Sequence, residues 1–340
     1  MASRRGRICF CTGVALFSAL PYGAFDRREA IAGAASPLEP SPPPDPLAMS
    51  RVVEQGPMVH VFDTTPLPGG PHYVNDHTLI QARDGSWHLF GIFHREPMGD
   101  DTEVAFIHAV TNEQDPAAWS TGSFEAARPP YTLALEADRA IGETHLWAPH
   151  VVAAEDRYWM VYQGGGSDGD RSSMRLAESA DLYDWKRVGD VPMFEDICVA
   201  RDPMLTRRDN AWVLYYTRCE STTKRVSGVA YRLSRNLVHW SEPHMVLTLT
   251  DTAPMPNSGF TESPFVFERD GYYYLTVSSY PLSWDATMVY RSPAPFAFPN
   301  VPYTRLRAHA AEWISSRGRM FMTHAGPGQR GVWVAAVDGL

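Results

Sequence analysis

Three acidic residues far apart in this sequence recur at nearly the same distance ahead of an aromatic run. Asp76 stands 11 residues before Trp87, Asp202 stands 10 before Trp212, and Glu262 stands 11 before Tyr273. Trp147 holds the matching place 12 residues before Trp159, and His309 with Glu312 marks a fifth. A scaffold that gathers these places would gather three carboxyls. Two carboxyls suffice to break an acetal: one protonates the leaving oxygen, and the other attacks the anomeric carbon or activates a water. A third raises its neighbour's pKa by like-charge repulsion and keeps an acid protonated near neutral pH. Any one of these acids alone would read as ordinary surface; three in phase with a repeat make a candidate site.

The repeat supplies the scaffold. Five short aromatic and β-branched runs each follow a turn signal. Ser86–Phe90 follows Asp84-Gly85, Tyr158–Tyr162 follows Glu155-Asp156, Trp212–Tyr216 follows Asp209-Asn210, Tyr272–Thr276 follows Asp270-Gly271, and Met320–Thr323 follows Arg317-Gly318. A second apolar run precedes each turn, which is a hairpin signature. Downstream, Ala177–Trp185 resembles Arg232–Trp240, with a looser copy from Ala109 to Trp119. Strand, hairpin, strand and a third strand ending in a Trp-marked turn make the meander of one blade, and five units predict an all-β, five-bladed β-propeller. First strands line the channel of such a fold, so Asp76, Trp147, Asp202, Glu262, His309 and Glu312 should converge on one funnel. Trp147 would stack on a sugar face or simply pack between blades. Arg201 would bond sugar hydroxyls, pair with Asp76, or point away as a structural ion pair.

These blade starts resemble those of the five-bladed propeller glycoside hydrolases, the clan of arabinanases, β-xylosidases, invertases and levansucrases (glycosyl hydrolase families 43 and 32). Thr261-Glu262-Ser263-Pro264 is similar to the arabinanase and xylosidase pattern, Arg201-Asp202-Pro203 to the invertase element, and Trp147-Ala148-Pro149 to a second-blade element. Asn75-Asp76 is similar to the invertase nucleophile element or to the arabinanase base. The resemblance covers about residues 60 to 340. It implies Glu262 as general acid, Asp202 as the group that steadies the transition state, and Asp76 as base or nucleophile. A base with room for a water inverts and a nucleophile retains, with carboxyl separations of roughly 6.5–9.5 Å against 5–5.5 Å. It further implies Trp147, Arg201, His77, His309 and His324 as substrate-binding candidates and a carbohydrate as the partner. His77 departs from the pattern by replacing a Pro, and Ser263 stands where relatives carry Cys or Gly. No cofactor is needed. Relatives hold an axial calcium near a His, a place His324 or His309 would fill here, although no His, Cys or Asp cluster has metal-ligand spacing. A transglycosylase or phosphorylase of the same fold, and a non-catalytic carbohydrate-binding propeller, are the alternative functions.

Composition narrows the class further. The 340 residues carry a formal charge of −9 and hold ten Trp, fifteen Tyr and fifteen Phe, a content suited to strands and to sugar stacking. An acidic surface argues against nucleic acid. Gly164-Gly165-Gly166 lacks the Lys of a phosphate loop and reads as a flexible rim loop. Arg4, Arg5 and Arg7 before the apolar run from Ile8 to Phe25 predict a leader over residues 1–35, then a proline-rich linker over 36–51 and the propeller over 52–340. The protein is thus expected to be secreted or periplasmic, without stable membrane association once the leader is removed. Cys198 and Cys219 flank a turn symmetrically, so they would face each other as a disulfide or as two buried thiols.

Overall fold

The computed structural model describes residues 53–96, 102–165, 172–196, 200–219, 226–250, 261–279 and 285–340. Turn chemistry sets its hairpins. Asp270-Gly271 and Arg317-Gly318 take positive φ at both central positions (51° and 78°, 50° and 77°), the type I′ geometry whose twist matches the strands it joins. Each turn joins an inner strand to a second strand. The five pairs are His72–Gln81 with Trp87–Arg95, Leu146–Ala154 with Arg157–Gly165, Ala200–Arg208 with Ala211–Cys219, Thr261–Arg269 with Tyr272–Ser279, and Trp313–Ser316 with Arg319–His324. A third antiparallel strand follows in every unit: Ala105–Thr111, Ser172–Ser179, Val226–Ser234, Thr287–Ser292 and Gly331–Asp338. The five resulting sheets, each built from a separate stretch of chain, are the blades of a β-propeller.

Second strands are apolar on both faces because neighbouring blades cover both. Trp87–Arg95 is buried at eight consecutive residues, and Tyr162, Tyr215 and Tyr216 are wholly buried in the equivalent strands. Burying such a side chain contributes roughly 1.5–3 kcal/mol. The Trp-marked turns repeat at atomic detail. Ser179 Oγ accepts the Leu182 N–H at 2.9 Å, Asp181 Oδ1 accepts the Tyr183 N–H at 2.8 Å, and Trp185 Nε1 donates to the Leu182 carbonyl at 3.1 Å. Ser234, Asn236, Leu237 and Trp240 repeat the set at 2.9, 3.1 and 3.1 Å.

The fifth blade is completed from the other end of the chain. Val59–Asp63 and Glu54–Gln55 both pair antiparallel with Gly331–Asp338, which covers an edge that would otherwise be open. Gly331 makes the junction possible: its φ is +141°, and a Cβ there would meet the Phe62 carbonyl at 1.9 Å.

Gly164 and Gly165 correct the expected rim loop, because they end the strand Arg157–Gly165. A Cβ on Gly164 would strike Arg175, and one on Gly165 would strike His145. That room matters because Arg175 and Arg187 close on Glu143, a fully buried carboxylate (0% exposed) that also accepts from the Tyr162 hydroxyl at 2.7 Å and the Asp138 N–H at 2.8 Å. Gly166, the predicted leader and linker, and Cys198 of the expected cysteine pair lie outside the described residues.

Candidate active site

Each of the first four inner strands breaks its ladder at the same point. The register shifts fall between Asn75 and His77, Trp147 and His150, Arg201 and Met204, and Glu262 and Phe265. At that point Ala148, Asp202 and Ser263 have φ of 46°, 53° and 48°, and Ala310 of the fifth blade has 51°. These are left-handed values that non-glycine residues adopt only when the surroundings hold them, and such strain gathers at functional sites. A Pro follows in three cases, at 149, 203 and 264, which removes an N–H that a broken ladder would leave unpaired. The outcome is one axial cavity lined by Asp76, His77, Ala148, Pro149, Asp202, Pro203, Ser263, Pro264, Ala310 and Glu312.

Asp76 and Asp202 therefore occupy equivalent places, while Glu262 sits one residue earlier, in line with Arg201 and Trp147. Ser263 ties the two aspartates together. Its N–H donates to Asp202 Oδ2 at 3.0 Å and its hydroxyl to Asp76 Oδ1 at 3.1 Å. Arg201 forms an ion pair with Glu262, and its Nε lies 3.6 Å from Asp202 Oδ2. Of the expectations for Arg201, a sugar contact, a pair with Asp76 or a structural ion pair, the structure shows an ion pair, with Glu262, that joins the third and fourth blades.

Charge crowding perturbs the group strongly. Burial, then the charges of Asp202 and Glu262, hold the Asp76 carboxyl well above the usual carboxylate range, against the Ser263 hydroxyl and Arg201. Burial also lifts Asp202 to about 6; Arg201 opposes the rise and Glu262 adds to it. Burial alone would lower the Arg201 pKa, but Glu262, Asp202 and Asp76 push it further up.

Other predicted residues lie near this core. Trp147 is half-buried, stacks on His145 at 3.5 Å between ring centroids, and has an indole N–H without a hydrogen-bond partner among the described residues. Its neighbours Ala148 and Pro149, rather than the indole, line the cavity. His77 lines it, with Nε2 2.7 Å from Thr323 Oγ1; burial and then the His324 and His309 rings lower its pKa to about 3. His309 and His324 are buried behind the lining, where His324 Nδ1 accepts the His309 N–H at 2.8 Å. Calcium takes six to eight oxygen ligands, whereas this group offers imidazoles and one hydroxyl. No three His, Cys, Asp or Glu side chains among the described residues converge as a metal site, so the residues present do not fit that ion.

Sequence reasoning missed several neighbours. Ser263 had registered only as a departure from a pattern; Glu312 had been placed in the funnel, where it lies, but without a role. Tyr73 stacks on His94 at 4.2 Å, and its hydroxyl is raised far above its ordinary pKa by burial, then by Glu103, Asp76 and Glu262. Its sequence context, an aromatic in a strand, gave no signal.

Carboxyls gathered by the inner strands around the axis of a five-bladed propeller, with a guanidinium among them, are groups of the kind that cleaving a glycosidic bond requires. Comparison makes the assignment specific: the model for glycosyl hydrolases family 43 matches residues 123–324. The chain belongs to that family and is a glycosidase. No curated protein matches it in sequence. Among solved structures, the endo-arabinase from Bacteroides thetaiotaomicron is 12% identical, with a TM-score of 0.60 over 82% of this chain and 96% of that one. A family-43 enzyme from Xanthomonas citri complexed with xylose is 14% identical, with a TM-score of 0.59 over 82% and 90%. The Bombyx mori family-32 β-fructofuranosidase is 17% identical, with a TM-score of 0.57 over 82% and 61%.

Proposed function

We propose that the protein is an exported glycosidase that hydrolyses a pentosyl- or fructosyl-containing glycan at the axial cavity. The observation that carries this reading is the Ser263 bridge, which sets Asp76 and Asp202 side by side next to the Arg201–Glu262 pair. In it Glu262 protonates the glycosidic oxygen as the C–O bond breaks. Asp76 supplies the nucleophile, either by taking a proton from water or by attacking the anomeric carbon itself. Asp202 holds its neighbours' charge in place. A guanidinium only donates hydrogen bonds, so the Glu262 oxygen it meets accepts one, and the proton for the glycosidic oxygen is carried on the other oxygen.

A pentosyl or fructosyl substrate is supported by the arabinase, xylose-bound and fructofuranosidase relatives. Trp147, half-buried beside the lining, is the proposed stacking platform for the sugar, and the His77 ring lines the same cavity. Export is supported by the basic head and apolar run at the start of the sequence.

The test is a screen of the purified protein against aryl α-L-arabinofuranosides, aryl β-D-xylosides, sucrose and arabinan, beside Glu262→Gln and Asp76→Asn. Sugar released by wild type and by neither variant supports the reading. Sugar released equally by all three proteins removes these carboxyls from the mechanism. The anomer released first, read by NMR, assigns Asp76 as base or nucleophile.

A further inference from the structure

One carboxyl lining the axial cavity has no task in that reaction. Glu312 stands in the fifth blade where the other blades carry Thr78, His150, Met204 and Phe265, each two residues past the Asp76-type position. Its backbone is pinned: the N–H donates to Thr323 Oγ1 at 2.9 Å and the carbonyl accepts the Thr323 N–H at 2.9 Å. Its side chain is held on one oxygen. Oε2 accepts the Thr78 hydroxyl at 3.1 Å and faces His150 Nε2 at 3.8 Å.

The His150 tautomer follows from its other nitrogen. Nδ1 accepts the Leu205 N–H at 3.2 Å, and burial lowers the ring's pKa to about 3, so the ring is neutral and its proton is on Nε2, turned toward Glu312. The Thr78 hydroxyl thus bonds Oε2, and the His150 N–H faces the same oxygen from beyond hydrogen-bond distance. Among the described residues Oε1 has no hydrogen-bond partner, and the side chain, which lines the cavity, keeps 17% exposure. Burial, with Asp76 adding to it after the opposing Thr78 bond, holds this carboxyl well above the usual range. With Oε2 engaged by the Thr78 hydroxyl, a proton taken up by this carboxyl sits on Oε1. The carboxyl then presents an O–H donor to the cavity.

Besides Glu312, the polar groups of the lining are Asp76, Asp202 and Ser263, which are engaged with one another, and His77. Ala148, Pro149, Pro203, Pro264 and Ala310 offer no side-chain donor or acceptor, and His77 Nε2 is taken by Thr323. A few placed polar groups fix a ligand's orientation in such a pocket.

We propose that Glu312 is a substrate-contacting residue, with Oε1 hydrogen-bonding an oxygen of the sugar unit that lies against Asp76 and Asp202. This rests on the pentosyl or fructosyl reading of the same cavity and deepens it: the fifth blade orients the sugar while the first, third and fourth supply the reacting carboxyls.

The test uses Glu312→Gln, Glu312→Ala and Glu312→Met in the full chain. Michaelis kinetics on 4-nitrophenyl β-D-xylopyranoside and 4-nitrophenyl α-L-arabinofuranoside are read beside calorimetric binding of D-xylose and L-arabinose. Gln keeps a carbonyl for Thr78 and His150 and places an N–H where Oε1 stood, so it should stay within about threefold of wild type. Ala, and Met at nearly unchanged volume, should raise KM and weaken pentose binding by about tenfold, the scale of one lost hydrogen bond, with a smaller change in kcat. Wild-type KM in Ala or Met, whatever the melting temperature, overturns the contact and leaves Glu312 a packing group. Gln as impaired as Ala also overturns it. If wild type neither cleaves a glycoside nor binds a pentose, the pentosyl reading falls and takes this inference with it; if wild type cleaves and only the variants are unchanged, the inference falls alone.

Discussion

The Ser263 hydroxyl donates to Asp76 across 187 residues of sequence, at 3.1 Å, and so joins the first blade to the fourth at the propeller axis. The same residue's N–H holds Asp202. One small side chain with a strained backbone thereby fixes the spacing of two carboxyls that burial and mutual repulsion would otherwise drive apart.

Ser263→Ala removes the bond to Asp76 and leaves the N–H on Asp202. That bond lowers the Asp76 pKa, so its loss raises it, and a base that must be ionised becomes active only at higher pH. The acidic limb of the kcat/KM profile should move to higher pH, with turnover down about tenfold and the melting temperature nearly unchanged. An unmoved acidic limb would show that Asp76 does not set it.

Glu262→Gln should cut kcat by roughly 10²–10⁴-fold, with the circular dichroism spectrum retained. Substrates with good leaving groups, which need little protonation, should suffer least. A uniform loss across aryl leaving groups would speak for a binding role instead.

Asp202 makes a stability statement. Its folded pKa, about 6, lies above its ordinary 3.8, so the folded state binds the proton more tightly than the unfolded chain. Its contribution is therefore favourable in acid and is lost as pH rises from about 4 through 6. Asp202→Asn should raise the melting temperature at pH 8 more than at pH 4 while abolishing turnover. A larger gain at pH 4 would reverse the assigned sign.

Glu143→Ala leaves Arg175 and Arg187 facing each other with no carboxylate between them. Breaking a buried ion pair in this way costs about 3–5 kcal/mol. Urea titration followed by tryptophan fluorescence measures it, and a loss below about 1 kcal/mol would mean the arginines find water.

Gly331→Ala places a methyl against the Phe62 carbonyl at a φ of +141°. The blade should open there first: amides of Val59–Asp63 should exchange with deuterium markedly faster than those of Arg157–Gly165, and stability should fall by about 1–3 kcal/mol. Uniform exchange across both strands would show that the clash is relieved elsewhere.

Much of this was legible in the sequence because a blade is local. Asp270-Gly271 beside Tyr272–Thr276 announces its own hairpin, and Ser179–Trp185 announces its own turn. The funnel acids were legible through their phase against those hairpins. What a count of residues cannot resolve is a bulge. Glu262 lies one place before the Asp202-type position, and only the broken ladder decides that Ser263, not Glu262, stands between the two aspartates. Glu312 was visible as a residue but its surroundings were not, since Thr78 and His150 reach Oε2 from two other blades. Gly164 and Gly165 carry a loop's composition inside a strand because Arg175 and His145 need the space. The pairing of Val59–Asp63 with Gly331–Asp338 had no local sign at all, since its two halves lie at opposite ends of the folded region.

That pairing has a consequence in time. The ring's clasp has one half near the start of the propeller and the other about 270 residues later. At a synthesis rate of roughly 5–20 residues per second, the early half emerges about 15–50 s before its partner exists. Four blades can form as they appear, each from neighbouring residues, while the fifth must wait for the last strand to arrive. Until then Val59–Asp63 is an unpaired, apolar-bearing strand, the segment of this molecule most in need of a chaperone's cover and the last to lose it.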